Sequence, residues 1–444
     1  MVRWEDLKGS ARIYEEAVKY LPGGVSYSLR YFAPHPIYIV RAKGSRVWDV
    51  DGNEYVDYWM GHGAVVTGFG YEPVLEAVRE QLALGTHFGW CNEWEVKWAK
   101  AVTQWFGLDM AKPTNSGTEA NMYAIRLARA YTKKKKIGKF IGGWHGGYPE
   151  LHVAVNYPYE YPSSLDMQYV KADHTVLLPY NDLDGVREVM KNEDLAAVVV
   201  EPVVGVAGCI PAQRDFLKGL RELADERGFL LIFDEVITGF RFYKGARNYY
   251  GVRPDIITAG KAVGGQYFAG AGAIVGSSEY LELMNQVARP RFWERAFHGG
   301  TFVGNPLTMR AGYTLISELL SKGESFYEKL YALGNRLIKG LKDSVERAGA
   351  QCHITGLGSM IGIHFTKEVP KDPLSSEKTK NLRACELLFK HMIERNTLYL
   401  SPAKPHLFLS IAHTPDEIDK FVNDFEEFLV KNAELLNNEV RLLT

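Results

Sequence analysis

The residues that could do covalent chemistry stand in one stretch, residues 229–261. An apolar run, Phe229-Leu230-Leu231-Ile232-Phe233, ends on two carboxylates, Asp234 and Glu235. Such a run reads as a strand buried on both faces of a parallel sheet, and ligands bind beyond the carboxyl ends of strands in such sheets. Lys261 follows in GKAVGGQYFAGAGAIVG, among Gly, Ala and Val. A lysine buried there loses solvation, so its pKa falls and its amine becomes a nucleophile. A nucleophilic amine can hold pyridoxal phosphate as a Schiff base, while a strand-end Asp keeps the pyridine nitrogen protonated and the ring electron-withdrawing. The same residue types also suit a helix cap and a solvated loop lysine, so the surrounding elements must decide.

Those elements alternate. A strand ends in FIGGWHGG (residues 140–147) and delivers Trp144 and His145 into a Gly-rich loop; an aromatic at that point can stack on a planar cofactor or serve the core. Strands follow at 196–200, ending in Glu201-Pro202, at 229–233 and at 272–275, with a helix at 213–226 between the first two. Alternating strands and helices predict an α/β domain with a mostly parallel sheet. Upstream, a helix over 12–21 stops at Pro22-Gly23-Gly24. Short strands at 37–40, 46–50 and 54–58 then form a meander, with Asp51-Gly52 as a hairpin turn. Residues 61–70 read as a Gly-rich loop and 74–84 as a helix. After about residue 324 come a long helix (327–348), short strands near 358–365 and 407–410, and closing helices. The expected division is a subdomain at 1–60, a large α/β domain at 61–323 and a small α+β domain at 324–444.

Two stretches could hold an anion. Asn115-Ser116-Gly117-Thr118-Glu119 opens a helix running through Tyr131, and Ser116 or Thr118 can cap it. A helix N-terminus presents free amides and the positive end of its dipole, although an ordinary N-cap has the same look. HGGTFVGNPLTM (residues 298–309) is a second Gly-rich entry to a helix, with Thr301 as a further phosphate hydroxyl.

Composition sets bounds. The chain has 444 residues, 46% hydrophobic and 24% charged, which fits two or three globular domains. A formal net charge of −1 offers no hint of a nucleic-acid partner. The N-terminal residues lack the apolar core of a signal peptide, and no run is long enough to span a bilayer. Cys91, Cys209, Cys352 and Cys385 lack CxxC spacing, which argues against a zinc site or disulfide framework and fits a reducing cytoplasm.

With these segments in hand the chain resembles the class III pyridoxal-phosphate aminotransferases of fold type I, and within them the glutamate-1-semialdehyde 2,1-aminomutases most. The shared stretches are PGGVS with Arg30 downstream, WDVDGNEYVDY, NSGTEANMYAIRLARAYT, WHGG, VVVEPV, LLIFDEVITGFR, PDIITAGK, GTFVGNPLTM and IAHT. The resemblance implies that Lys261 forms the Schiff base and shuttles a proton, and that Asp234 pairs with the pyridinium nitrogen. It implies that Ser116, Gly117 and Thr118 bind the phosphate, with Thr301 reaching it from a neighbouring subunit of a homodimer. Trp144 takes the place of the family's stacking Tyr beside His145, and Val236 packs on the other ring face. Arg30, in the segment that also carries Ser26, matches the arginine that binds substrate carboxylate. The partner expected is a small amino or keto substrate; an aminotransferase, an aminomutase and a racemase would share these residues.

The chain departs from the aminomutases around the substrate pocket. It has Trp144-His145-Gly146-Gly147 where they have Tyr-His-Gly-His, and NYPYEYPSSLDMQY in place of a Gly/Ser-rich lid. The loop after Lys261 is changed at residues 264–270, RPRFWERAFHGG precedes Thr301, and an acidic residue common near the C-terminus is missing from SPAKPHLFLS. Tyr27, Tyr267, Phe268 and Trp293 are additions that suit a bulkier or more apolar substrate.

Overall fold

The computed structural model of the protein describes residues 2–170, 172–266, 270–399 and 401–437. Its largest sheet has seven strands, built around the apolar runs. Leu195–Val200 and Leu230–Glu235 are buried at every position. A strand without a polar face needs cover on both sides, which a parallel sheet between helices provides. The sheet order is Met110–Thr114, Gly272–Gly276, Ile256–Gly260, Leu230–Glu235, Leu195–Val200, Lys136–Phe140, Thr175–Leu178. Gly272–Gly276 runs antiparallel to both neighbours and the other pairings are parallel. This is the fold type I architecture.

Strand pleating sends alternate residues to two cores. Val199 and Ile232 pack with Ala124 and Leu127 of helix Gly117–Thr132. Val198 and Phe233 pack with Phe216 and Leu220 of helix Arg214–Arg227. Both helices bury residues spaced three or four apart, the signature of a helix with one apolar face.

Several elements differ from the sequence expectation at their ends. The first helix is Lys8–Ala17, not 12–21. The Asp51 carboxylate accepts from the Gly9 N–H and, at 3.0 Å, the Ser10 N–H, so the turn aspartate also anchors the helix start. The meander strands are Ile39–Lys43, Arg46–Asp49 and Glu54–Asp57. Thr397–Leu398 joins the last of these in parallel, so a C-terminal segment completes the N-terminal sheet. Residues 61–70 are not uniform loop, because a short helical turn, Met60–Gly63, overlaps them. The long helix is Pro306–Ala348, broken at Gly323 (φ 59°, ψ −153°), rather than 327–348 alone. Beyond it Met360–His364 pairs antiparallel with His353–Leu357 and His406–Phe408.

Among the described residues no helix is long and apolar enough to cross a membrane, and no group of three or more His, Cys, Asp or Glu could hold a metal ion. All four cysteines are free thiols, with Cys91 alone exposed.

Candidate active site

Asp234 and Glu235 are adjacent in sequence but do different work, because the pleat turns them to opposite faces. Glu235 points to the Arg214–Arg227 side. There it accepts from the N–H groups of Ala246 (2.6 Å) and Arg247 (3.0 Å), tying the strand end to the next helix. Burial pushes its carboxyl up to about 7 against those hydrogen bonds. Asp234 points to the Gly117–Thr132 side. Its Oδ2 accepts from Asn121 Nδ2 at 2.8 Å and lies 2.7 Å from His145 Nδ1, while Oδ1 accepts from the Val236 N–H at 3.0 Å.

Lys261 follows directly on strand Ile256–Gly260, beside the strand of Asp234. Its backbone is left-handed (φ 54°). Burial lowers its pKa, opposed by the charges of Asp234 and Glu201. No described residue hydrogen-bonds its Nζ. It lines a cavity of about 320 Å³ together with Asn115, Ser116, Gly117, Val236 and Gln266.

The far wall of that cavity is the N-terminus of helix Gly117–Thr132. Ser116 caps it, its hydroxyl accepting from the Glu119 N–H at 3.2 Å. A side chain at Gly117 has no room, since its Cβ would lie 2.8 Å from Val236 Cγ2. The Thr118 side chain packs against Gly146, where an added Cβ would meet its Oγ1 at 2.1 Å. Thr301 is exposed and does not line the cavity of its own chain.

Trp144 and His145 leave strand Lys136–Phe140 on a turn held from two sides. The Trp144 N–H donates to Glu201 Oε1 at 2.9 Å, and Lys139 Nζ donates to the Gly143 and Val153 carbonyls at 2.9 and 2.7 Å. Burial pushes the Glu201 carboxyl up and the Lys139 amine down to about 7. The Trp144 ring stands edge-on to His152 at 5.4 Å.

Arg30 and Ser26 line a second cavity of about 480 Å³, mostly apolar, with Trp59 and His62 on its wall. Arg30 Nη1 donates to Ser26 Oγ at 3.0 Å. Of the aromatic additions, Tyr27 packs against His62 with ring centroids 5.8 Å apart and planes 33° apart, whereas Trp293 is 69% exposed and lines neither cavity. Tyr267 and Phe268 lie outside the described residues.

Sequence reading assigned no role to Asn121, Glu201, Gln266 or His62. Glu201 had a signal, as the strand-end carboxylate of VVVEPV. Gln266 sat in the altered loop; its Oε1 accepts from the Val66 N–H at 2.9 Å and its amide bonds the Thr67 hydroxyl. Asn121 and His62 had none. A buried amine with a lowered pKa and a helix N-terminus lining one cavity, with the Asp234 carboxylate on the neighbouring strand, suit a flat cofactor that combines a basic ring nitrogen, a carbonyl and an anionic tail.

Comparison with known proteins agrees. Residues 28–426 match the family model "Aminotransferase class-III". The chain is 37% identical over 433 residues to a glutamate-1-semialdehyde 2,1-aminomutase of Methanosphaera stadtmanae, covering 96% of this chain and 99% of that one. It is 40% identical over 429 residues to one of Desulforudis audaxviator, covering 94% and 96%. Among solved structures, an omega-transaminase from Sphaerobacter thermophilus superposes with TM-score 0.88 at 32% identity, covering 96% of this chain and 98% of that one. A beta-phenylalanine aminotransferase from Variovorax paradoxus gives 0.86 at 32%, covering 97% and 96%. A family model spanning most of the chain, with relatives of this identity over nearly its full length, shows that the protein belongs to the class-III aminotransferase family.

Proposed function

We propose that the protein moves an amino group on a carboxylate-bearing amino acid or amino ketone, with pyridoxal 5'-phosphate as its cofactor. The observation that carries this reading is that Lys261 and the Gly117–Thr132 N-terminus line one cavity, with Asp234 held on the adjacent strand by Asn121, His145 and the Val236 N–H, beside a second cavity bearing Arg30. The residues fit the cofactor: Val236 leaves no room for a side chain at Gly117, so the helix N-terminus stays open to an anion, and Asp234 is held by Asn121, His145 and the Val236 N–H. Ser116, Gly117 and Thr118 would hold the phosphate, joined by Thr301 from a second subunit. Trp144 and Val236 would flank the ring, and His145 would act through Asp234.

When bound, the cofactor withdraws electrons from the carbon beside the substrate amine and so acidifies its C–H bond. Asp234 keeps the proton at the ring nitrogen. Lys261, whose pKa burial lowers, would take the proton from that carbon and return it to a neighbouring position. Arg30 offers a planar fork to the substrate carboxylate. The domain division at 1–60, 61–323 and 324–444 belongs to the same reading, as does a homodimer with the site at its interface. Trp90 (85% exposed) and Phe302 (58%) are apolar surface that a second copy would cover.

A second reading, an aminomutase returning the amine to the adjacent carbon of the same molecule, is favoured by the names of the sequence relatives. A single-turnover screen of the cofactor-loaded protein separates the two. Conversion of glutamate-1-semialdehyde to 5-aminolevulinate without an added keto acid identifies the aminomutase. Stoichiometric pyridoxamine phosphate and a keto product from another amine identify the aminotransferase. Loss of optical purity alone points to a racemase, and absence of the lysine-bound cofactor band overturns the reading.

A further inference from the structure

Four consecutive residues, Met60-Gly61-His62-Gly63, hold left-handed backbone, with φ of 45, 56, 60 and 75°. Met60 and His62 carry side chains that this region disfavours. Such a run persists where its surroundings over-determine it, and strained backbone of this kind gathers at ligand sites. In front of the turn, the Asp57 carboxylate accepts from the Trp59 and Met60 N–H groups at 2.7 and 3.2 Å. Behind it, the buried Arg241 donates from Nε to the Gly63 carbonyl at 2.8 Å and from Nη2 to the Val65 carbonyl at 3.3 Å.

This turn borders both cavities of the site. His62 and Trp59 line the cavity of Arg30, and Gly61 and Ala64 line the cavity of Lys261. The His62 ring is wedged against Trp59 (centroids 4.4 Å apart, 62° between planes) and Tyr27 (5.8 Å, 33°). No described residue hydrogen-bonds either ring nitrogen. Burial first, then the charges of Lys261 and Arg30, push its pKa down to about 4. At neutral pH the ring is therefore uncharged, with one N–H donor and one acceptor nitrogen. With no partner in the chain, the polar edge of this half-buried ring is open to a ligand that enters the cavity. The neighbouring Lys261 and Arg30 disfavour a cation there, which leaves an oxygen acceptor as the natural partner of the ring N–H.

We propose that His62 is a specificity-determining residue, donating a hydrogen bond to a hydroxyl or carbonyl oxygen carried on the substrate's carbon chain between its amine and its carboxylate. The proposal rests on the reading of Lys261 and Arg30 as the two ends of the substrate site. A site built to bond such an oxygen discriminates strongly against the analogue that lacks it.

The test uses the cofactor-loaded full chain and two probes that differ by one hydroxyl, 4-aminobutanoate and 4-amino-3-hydroxybutanoate. Kd is read from displacement of the visible band of the lysine-bound cofactor. Wild type should bind the hydroxylated probe about tenfold or more tighter. In H62F, which keeps a ring of similar width, the preference should collapse to within about twofold while the Kd of 4-aminobutanoate changes little. H62N, which keeps a donor, should restore part of it. A preference absent from wild type, or surviving in H62F, overturns the proposal. R30K separates the two layers: if it weakens both probes while H62F leaves the preference intact, the site reading stands and the His62 assignment falls alone. If R30K weakens neither probe, or neither shifts the band, both fall.

Discussion

The imidazole Nδ1 of His145 lies 2.7 Å from Oδ2 of Asp234, with both side chains buried. Asn121 Nδ2 donates to the same oxygen at 2.8 Å and is oriented by the Thr258 hydroxyl, which donates to its Oδ1 at 2.7 Å. The carboxylate thus stands in a network that reaches the next strand. Hydrogen bonds to charged groups contribute about 1.5–3 kcal/mol. D234N should therefore slow the single-turnover reaction by roughly 100-fold, and N121A by about tenfold. Stopped-flow absorbance checks both, and an unaltered D234N rate would remove Asp234 from the chemistry.

Lys261 has no hydrogen-bonding partner among the described residues and is held with a lowered pKa by burial. Borohydride reduction of the loaded protein should tag Lys261, identified by peptide mass. K261A should lose the tag and roughly 10³-fold or more of the rate. A tag on the buried Lys139 instead would reassign the nucleophile.

Gly117 faces Val236, and an added Cβ would meet its two methyl carbons at 2.8 and 3.0 Å. Overpacking of this kind costs about 1–3 kcal/mol. G117A should lower the melting temperature of the apo-protein by a few degrees and weaken cofactor binding by roughly tenfold or more as Val236 and the helix N-terminus shift, measured by thermal unfolding and by titrating the apo-protein.

Arg241 joins parts of the chain that are far apart in sequence. Its guanidinium reaches the Gly63 and Leu409 carbonyls and the Ser359 hydroxyl, each at 2.8 Å, as well as Val65. Lysine cannot supply that fork. R241K should lower unfolding stability by about 2–4 kcal/mol through unpaired buried acceptors, seen as a lower urea midpoint.

His364 is buried, with Nε2 2.7 Å from Thr355 Oγ1 and 3.1 Å from the Gly208 carbonyl; burial pushes its pKa down to about 3. The unfolded chain then binds more protons than the folded one between about pH 3 and 6.5, so this group makes stability rise with pH across that window. Each such group contributes up to about 1.4 kcal/mol per pH unit. Asp57 and Glu235, both raised to about 7, slope the other way. The readout is accordingly the difference between wild type and H364Q, which should shrink as pH falls from 6.5 toward 4. A difference that does not vary with pH would mean the ring takes up its proton in the fold as readily as in the unfolded chain.

The sequence by itself pointed to the family and to four of the seven strands of the large sheet, while Met110–Thr114, Thr175–Leu178 and Ile256–Gly260 were not read from it. Runs such as Leu230–Phe233 encode two-sided burial in their composition, and Asp234, Lys261 and Ser116-Gly117 stand at the ends of elements whose periodicity is local. Element ends were less legible, because they depend on distant partners: Asp51 starts the first helix and Thr397–Leu398 finishes the first sheet. The resemblance singled out Asp234, and the tertiary structure supplied the reason: one pleat turns Asp234 toward helix Gly117–Thr132 and Glu235 toward the N–H groups of Ala246 and Arg247. The tertiary structure also decided that Asn121, Glu201, Gln266 and His62 converge at the site, and that Trp293 in this chain does not. Those outcomes follow from contacts between segments remote in sequence, and a hydrophobic period records which face of an element is buried, not what that face will meet.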